Sequence, residues 1–159
     1  MESWRKVWRA AAPMLTTPQL LALREGLRSD DKALIQGATT TPPPLQCVLD
    51  WPCEAGCLFA YAGWKSGLET VGEVEEFFAD LCFRVDQELG EPAAVRYLLN
   101  WFDDTPRDEM RINLGLEIDR VLANRRVGEL SNGAVDVDVS PIPGVDDDSD
   151  QPITHTPKE

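Results

Sequence analysis

The sequence predicts an all-α protein: a compact bundle of five to six helices over residues 1–126, followed by a disordered acidic tail over 127–159. Three observations carry that expectation. Apolar residues recur at i, i+3, i+4 and i+7 in segment after segment, which places them on one face of a helix. Turn dipeptides flanked by alternating apolar residues, the mark of a hairpin, are nearly absent. Ten of the twelve aromatic residues lie between Trp51 and Phe102 and none follows Phe102, so the core has an end along the chain. With 43% hydrophobic residues in a chain of 159, there is enough apolar surface for one domain.

Ser3 is placed to cap a first helix in which Trp4, Val7, Trp8 and Ala11 share a face, and Pro13 ends it. Arg5, Lys6 and Arg9 lie off that stripe. Three cations over so short a helix are a weak signal for a membrane anchor, and two tryptophans laid on the domain are the expectation. Thr17-Pro18 opens a second helix to about Ser29, with Leu20, Leu21, Ala22, Leu23 and Leu27 available for burial. A further helical turn is expected from Asp31 to Gln36, stopped by Gly37. Only Lys32 is cationic there, which argues against a DNA-reading pair of helices. Ala38 to Leu45, with Pro42, Pro43 and Pro44, reads as an extended connector, because each proline fixes its own φ and biases its predecessor away from helix.

Pro52 is expected to open a helix running through the apolar stretch to Gly63. Thr70 and Glu73 match a reciprocal capping box that starts a helix over 71–89, with Val74, Phe77, Phe78, Leu81, Val85 and Leu89 in one stripe and Gly90 as the stop. Pro92 is expected to start a helix over 92–103 that buries Ala94, Tyr97, Leu98, Trp101 and Phe102. Thr105-Pro106 starts the last, over 106–126. Beyond Arg126 the chain holds four prolines, no aromatic residue and the run Asp146 to Asp150, a composition that cannot offset chain entropy. Within that tail Val135 to Val139 alternates with period two and is a candidate to add a strand to a partner's sheet.

Charge narrows the function classes. The net charge is −13, spread as +2 over residues 1–45, −9 over 46–106, +1 over 107–126 and −7 over 127–159. Both acidic stretches would repel a phosphate backbone, so direct nucleic-acid binding is disfavoured. An acidic inhibitor or nucleic-acid mimic, seated in a partner's basic groove, is the alternative that acidity leaves open. The longest run free of charge, Ala55 to Trp64, is half of what spans a membrane, and no secretory signal is legible, so a cytoplasmic protein without a membrane span is expected.

The chemistry-bearing residues are sparse. The one histidine, His155, lies in the tail, which argues against triads and imidazole-ligated metals. Cys47, Cys53, Cys57 and Cys82 form no C-x-x-C pair, although Cys53 and Cys57 are four apart on the expected helix. Free thiols acting as small buried hydrophobes are the simplest reading, with a disulfide or a four-thiolate metal site as the alternatives. The carboxylates Glu73, Glu75, Glu76, Asp80, Asp103, Asp104, Asp108 and Glu109 cluster near helix starts, where they complement the helix dipole. No phosphate-binding loop or nucleophile elbow is present, so no cofactor, metal or small-molecule ligand is inferred and an enzyme lacking a recognisable motif is a second alternative.

The expectation that remains is a non-enzymatic interaction or adaptor module that binds a protein partner or itself. Three residues are its candidate contacts. Phe83 points away from the core stripe of its helix, among Glu76, Asp80 and Gln87, and the tight linkage of neighbouring helices favours its packing on a second surface. Ile112 and Leu116 gather with Ala123 opposite the main stripe Met110, Leu114, Ile118 and Val121. Gly115 lies beside them, as though something approached the backbone there.

Overall fold

The computed structural model describes residues 1–135, and the protein is all-α apart from one two-residue pairing of strands. Six helices are described: α1 (Ser3–Ala11), α2 (Thr17–Arg28), α3 (Leu58–Lys65), α4 (Val71–Leu89), α5 (Arg96–Asp104) and α6 (Arg107–Val135). Strands β1 (Thr40–Thr41) and β2 (Ala55–Gly56) pair antiparallel, with Thr40 opposite Gly56. Among these helices the main packing runs in series: α5 on α1, α1 on α4, α4 on α3, α3 on α2, and α2 on α6. α6 therefore stands at one end of the series. None of the described helices is long and apolar enough to cross a membrane.

Where the local code is strong, the elements form as it dictates. The expected face of α1 is buried throughout, with Trp4, Val7, Trp8 and Ala11 all inside and Trp4 stacked on Trp101 at 3.7 Å between ring centroids. α4 has the boundaries its signals require. The Thr70 hydroxyl accepts from the Glu73 amide, the Glu73 carboxylate accepts from the Thr70 amide, and Gly90 closes the helix at φ 66°. α2 carries a second capping box, between Thr16 and Gln19, one residue ahead of the expected cap. Leu20, Leu23 and Leu27 are buried, whereas Leu21 is exposed.

Four expected elements or boundaries fail, three of them for one reason. Residues 31–36 make a single hydrogen-bonded turn (the Leu34 amide donates to the Asp31 carbonyl at 3.0 Å) and then an extended bridge from Leu34 to Gly56, not a helical turn. The helix expected from Pro52 begins only at Leu58. Residues 51–57 instead run as a ribbon whose amides and carbonyls are taken from several sides: Gly56 donates to Ala33, Cys57 to Thr39, Glu54 to Thr41 and Cys53 to Glu69. Those partners are distant in sequence, so helical propensity loses to pairing it cannot foresee. The helix expected at Pro92 begins at Arg96, because the Asp86 carboxylate of α4 accepts from the amides of Ala93 and Val95 and holds that entry as a turn. Tyr97, expected inside, is 39% exposed, while Leu98 and Phe102 are fully buried.

The fourth correction concerns the end of the domain. α6 does not stop at Arg126 but continues to Val135, so residues 127–135 belong to a helix and not to a tail. The break in composition falls after residue 135: all four prolines beyond Arg126 lie past it, and Glu129 is the one acid between Arg126 and Asp136. Extending an existing helix adds one hydrogen bond for each residue fixed, which suffices where no proline intervenes. The rest of the expected tail, and the strand expected over 135–139 apart from Val135 itself, lie outside the described residues.

Candidate functional site

α6 is built with two apolar faces. Its inner stripe, Met110, Leu114, Ile118 and Leu122, is buried against the bundle, with Val121 half-buried beside it. Its outer stripe consists of Ile112, Leu116, Ala123, Val127 and Leu130, which at about 100° per residue fall within about 60° of one another over about 27 Å of helix. All five are exposed, with Ile112 at 64%, Leu116 at 62%, Val127 at 62% and Leu130 at 75%. Isolated exposed apolar side chains are ordinary; a stripe of them along one helix is the observation that calls for a function.

The inner attachment ends before the helix does. Arg107 fastens the first turn of α6, donating to the Asp30 carboxylate at 2.6 Å and to the carbonyls of Leu34 and Asp31, both at 2.9 Å. Arg111 reaches the Leu27 carbonyl at 2.7 Å. Arg125 fastens the other end of the contact, to the carbonyls of Leu15 at 2.7 Å and Ala12 at 3.2 Å. Residues 126–132 are exposed on every side, so the end of the helix overhangs the domain. At the opposite end of the helix, on the flank between α6 and α2, Leu27, Arg28, Asp108, Arg111, Ile112 and Gly115 line an open groove of about 410 Å³. A Cβ placed on Gly115 would meet nothing within 4 Å, so no described group makes the close approach its glycine suggested.

Phe83, the third predicted contact, is 60% exposed and does not pack on a second surface, which corrects the expectation. The reason is the turn after α4: Pro92 and Ala93 flank an apolar groove beside Phe83 without covering it. The structure joins Ile112 and Leu116 on one face but places Phe83 on another element with its own groove. Two features escaped sequence reasoning. Val127 and Leu130 continue the α6 stripe, and their spacing from Ala123 was legible had the tail not been assumed. Leu45 and Leu49, on the connector preceding the ribbon, and Trp51 at its first residue are also exposed, in a region with no periodicity to reveal it.

Several chemistry-bearing groups serve the fold. All four cysteines are free thiols. Cys53 and Cys57 do not share a helix face, since Cys53 lies in the ribbon and Cys57 caps α3. Burial pushes the thiols of Cys57 and Cys82 up to about 12 and raises that of Cys53, so all three stay protonated near neutrality. Cys47 is exposed, contrary to the expectation of a buried hydrophobe. Glu73 is held below its ordinary value by the amides of Glu69 and Thr70, and Asp103 accepts from the Gly37 amide at 2.9 Å. Among the described residues no group of three or more His, Cys, Asp or Glu is placed to hold a metal ion. Glu117 is the one buried acid among them, 4% exposed, with Arg5, Arg9 and Arg120 at 3.3, 3.4 and 3.5 Å from one carboxylate oxygen. That cluster ties α1 to the inner side of α6. Comparison of the chain with protein-family models, curated proteins and solved structures gives no match.

Proposed function

We propose that this protein is a non-enzymatic interaction module of the cytoplasm and that the outer stripe of α6 is its docking surface. The observation that supports the reading is the run of exposed apolar side chains from Ile112 to Leu130 on a helix whose inner face is already satisfied. A solvated helix requires one apolar face, and a second face of comparable length adds unfavourable exposure unless something covers it. Four free thiols fit a reducing compartment. Of the carboxylates, Glu73 is engaged in a helix cap and Asp103 accepts from the Gly37 amide, which fits structural roles better than chemistry.

The test uses the full chain and the double variant Ile112→Glu/Leu116→Glu. The variant is expected to melt within a few degrees of the wild type, because both side chains already face solvent, and to lose association with itself or with a protein retained by the immobilised wild type. A variant that unfolds, or one that associates as the wild type does, overturns the reading. Association that persists in the variant but collapses in high salt would instead support the acidic mimic.

A further inference from the structure

We infer that the arginine cluster around Glu117 is a docking site for clustered carboxylates, and that its occupant is the acidic run Asp146 to Asp150 of the same chain. Two helices build the site. Arg5 and Arg9 of α1 and Arg120 of α6 converge on one oxygen of the buried Glu117, at 3.3, 3.4 and 3.5 Å. Glu2 also pairs with Arg5, so three cations face two acids and the cluster keeps a positive charge. Among the described residues Arg9 and Arg120 have no carboxylate but Glu117, and their side chains are 40% and 57% exposed. A guanidinium presents its N–H donors as a planar fork, which a carboxylate fits in charge and in shape. With Glu117 shared three ways, Arg9 and Arg120 keep donors for a further acid.

Charge and chain length select the occupant. Residues 136–159 hold seven acids and one base, and four of those acids fall between Asp146 and Asp150. Residues 46–106, at −9, repel such a segment, whereas Arg120 lies on α6 itself, the helix from which the segment continues. Arg120 stands about 22 Å along that helix from Val135, and the eleven residues from Val135 to Asp146 reach up to about 36 Å, so the run returns to the cluster with chain to spare. The way back carries no repulsion. Asn124, Val127 and Ser131 follow Arg120 along one flank of α6 at about 100° per residue, all exposed and none acidic, while Glu129 lies on the opposite side. Tethering holds the acids at an effective concentration on the order of millimolar, where contacts too weak to form between separate molecules are populated.

The test places a nitroxide on the full chain, at Ser149→Cys in a Cys47→Ser background, and reads the backbone amide signals of the isotope-labelled protein by NMR. Cys53, Cys57 and Cys82 are buried or half-buried, which leaves the introduced thiol as the accessible one. Relative to the reduced nitroxide, the signals of residues 5–9 and 117–124 are expected to lose most of their intensity. They should recover it in high salt, in Arg9→Gln/Arg120→Gln, and when Asp146, Asp147, Asp148 and Asp150 are all replaced by Asn. The Asn variant leaves every described residue unchanged, so it decides the matter even where the arginine variant unfolds. Arg126→Gln, at the last arginine of α6, is expected to change nothing. Loss of intensity that is spread evenly over the surface, centred elsewhere, or kept in a folded variant overturns the proposal. So does loss that arises when nitroxide-bearing chain without the isotope is mixed with isotope-labelled chain without the nitroxide, because the occupant is then the tail of a second copy.

Discussion

The two faces of α6 are close in composition and opposite in fate. Met110, Leu114 and Ile118 are fully buried on one side, while Ile112, Leu116 and Leu130 stand mostly in water on the other. Both stripes follow the same helical spacing, so periodicity alone ranks them equally. What separates them is the position of α6 at the end of a series of packed helices, with α2 on its inner side and no described element on its outer side. An apolar stripe states that a helix face needs cover; it does not state where the cover comes from.

Substitutions along α6 should therefore divide cleanly by face. Leu114→Ala, deep in the inner stripe, is expected to destabilise the domain by about 2–5 kcal/mol in chemical denaturation, from lost burial plus the cavity left behind. A smaller loss, within the range of a surface change, would mean that the inner face is loosely packed and the contrast overstated. Arg107→Ala, which removes the fastening of the first turn, is expected to cost about 1–3 kcal/mol, since it strands partly buried carbonyls of the 31–34 turn.

The same fastening gives the inner attachment a pH dependence. Hydrogen bonds from Lys32 and Arg107 lower the Asp30 carboxyl from 3.8 to about 2 in the folded protein, and Asp31 is lowered by the Ala33 amide and the Tyr61 hydroxyl. A carboxyl depressed in the folded state stabilises the fold above its unfolded pKa and loses that contribution as pH falls through the folded one. The melting temperature should decline as pH drops from 3.8 towards about 2, and less steeply in Asp30→Asn. Equal slopes in the two proteins would show that the ion pair at Arg107 does not couple to folding.

The smallest effects belong to the outer face. Gly115→Ala is expected to raise stability by roughly 0.5–1 kcal/mol, because the added methyl group meets open space while the helix gains a better former. The contrast with Gly26 is instructive: a Cβ there would stand 2.6 Å from the Tyr61 hydroxyl, so that glycine is required by packing and Gly115 is not. Leu116→Ala should change the stability of the dissociated chain by no more than about 0.5 kcal/mol. A loss of several times that amount would place Leu116 in a core and remove the basis of the docking surface.

Much of the bundle was legible in the residues, and the illegible part is concentrated. α1 and α4 announce themselves through stripes and caps, which involve neighbours within four positions along the chain. The ribbon at residues 51–57 does not, because Gly56 is held by Ala33 and Ile35 and Cys53 by Glu69, partners that only the folded chain brings near. Of the candidate site, Ile112 and Leu116 were found from spacing, while Val127 and Leu130 were obscured by an average taken over a tail whose prolines begin at Pro141. Phe83 was located on the outer face of its helix, but its exposure depends on how the chain turns at Pro92 and Ala93.

The residues by themselves determined the helical class, the faces of α1 and α4, and the presence of two apolar stripes on the last helix, because each follows from side-chain spacing and short-range capping. Tertiary structure decided which stripe is covered, how far α6 overhangs its domain, and that residues 51–57 extend where Pro52 reads as a helix start. These outcomes depend on backbone partners and packing neighbours well beyond a helical turn along the chain, and no local free-energy preference encodes their positions.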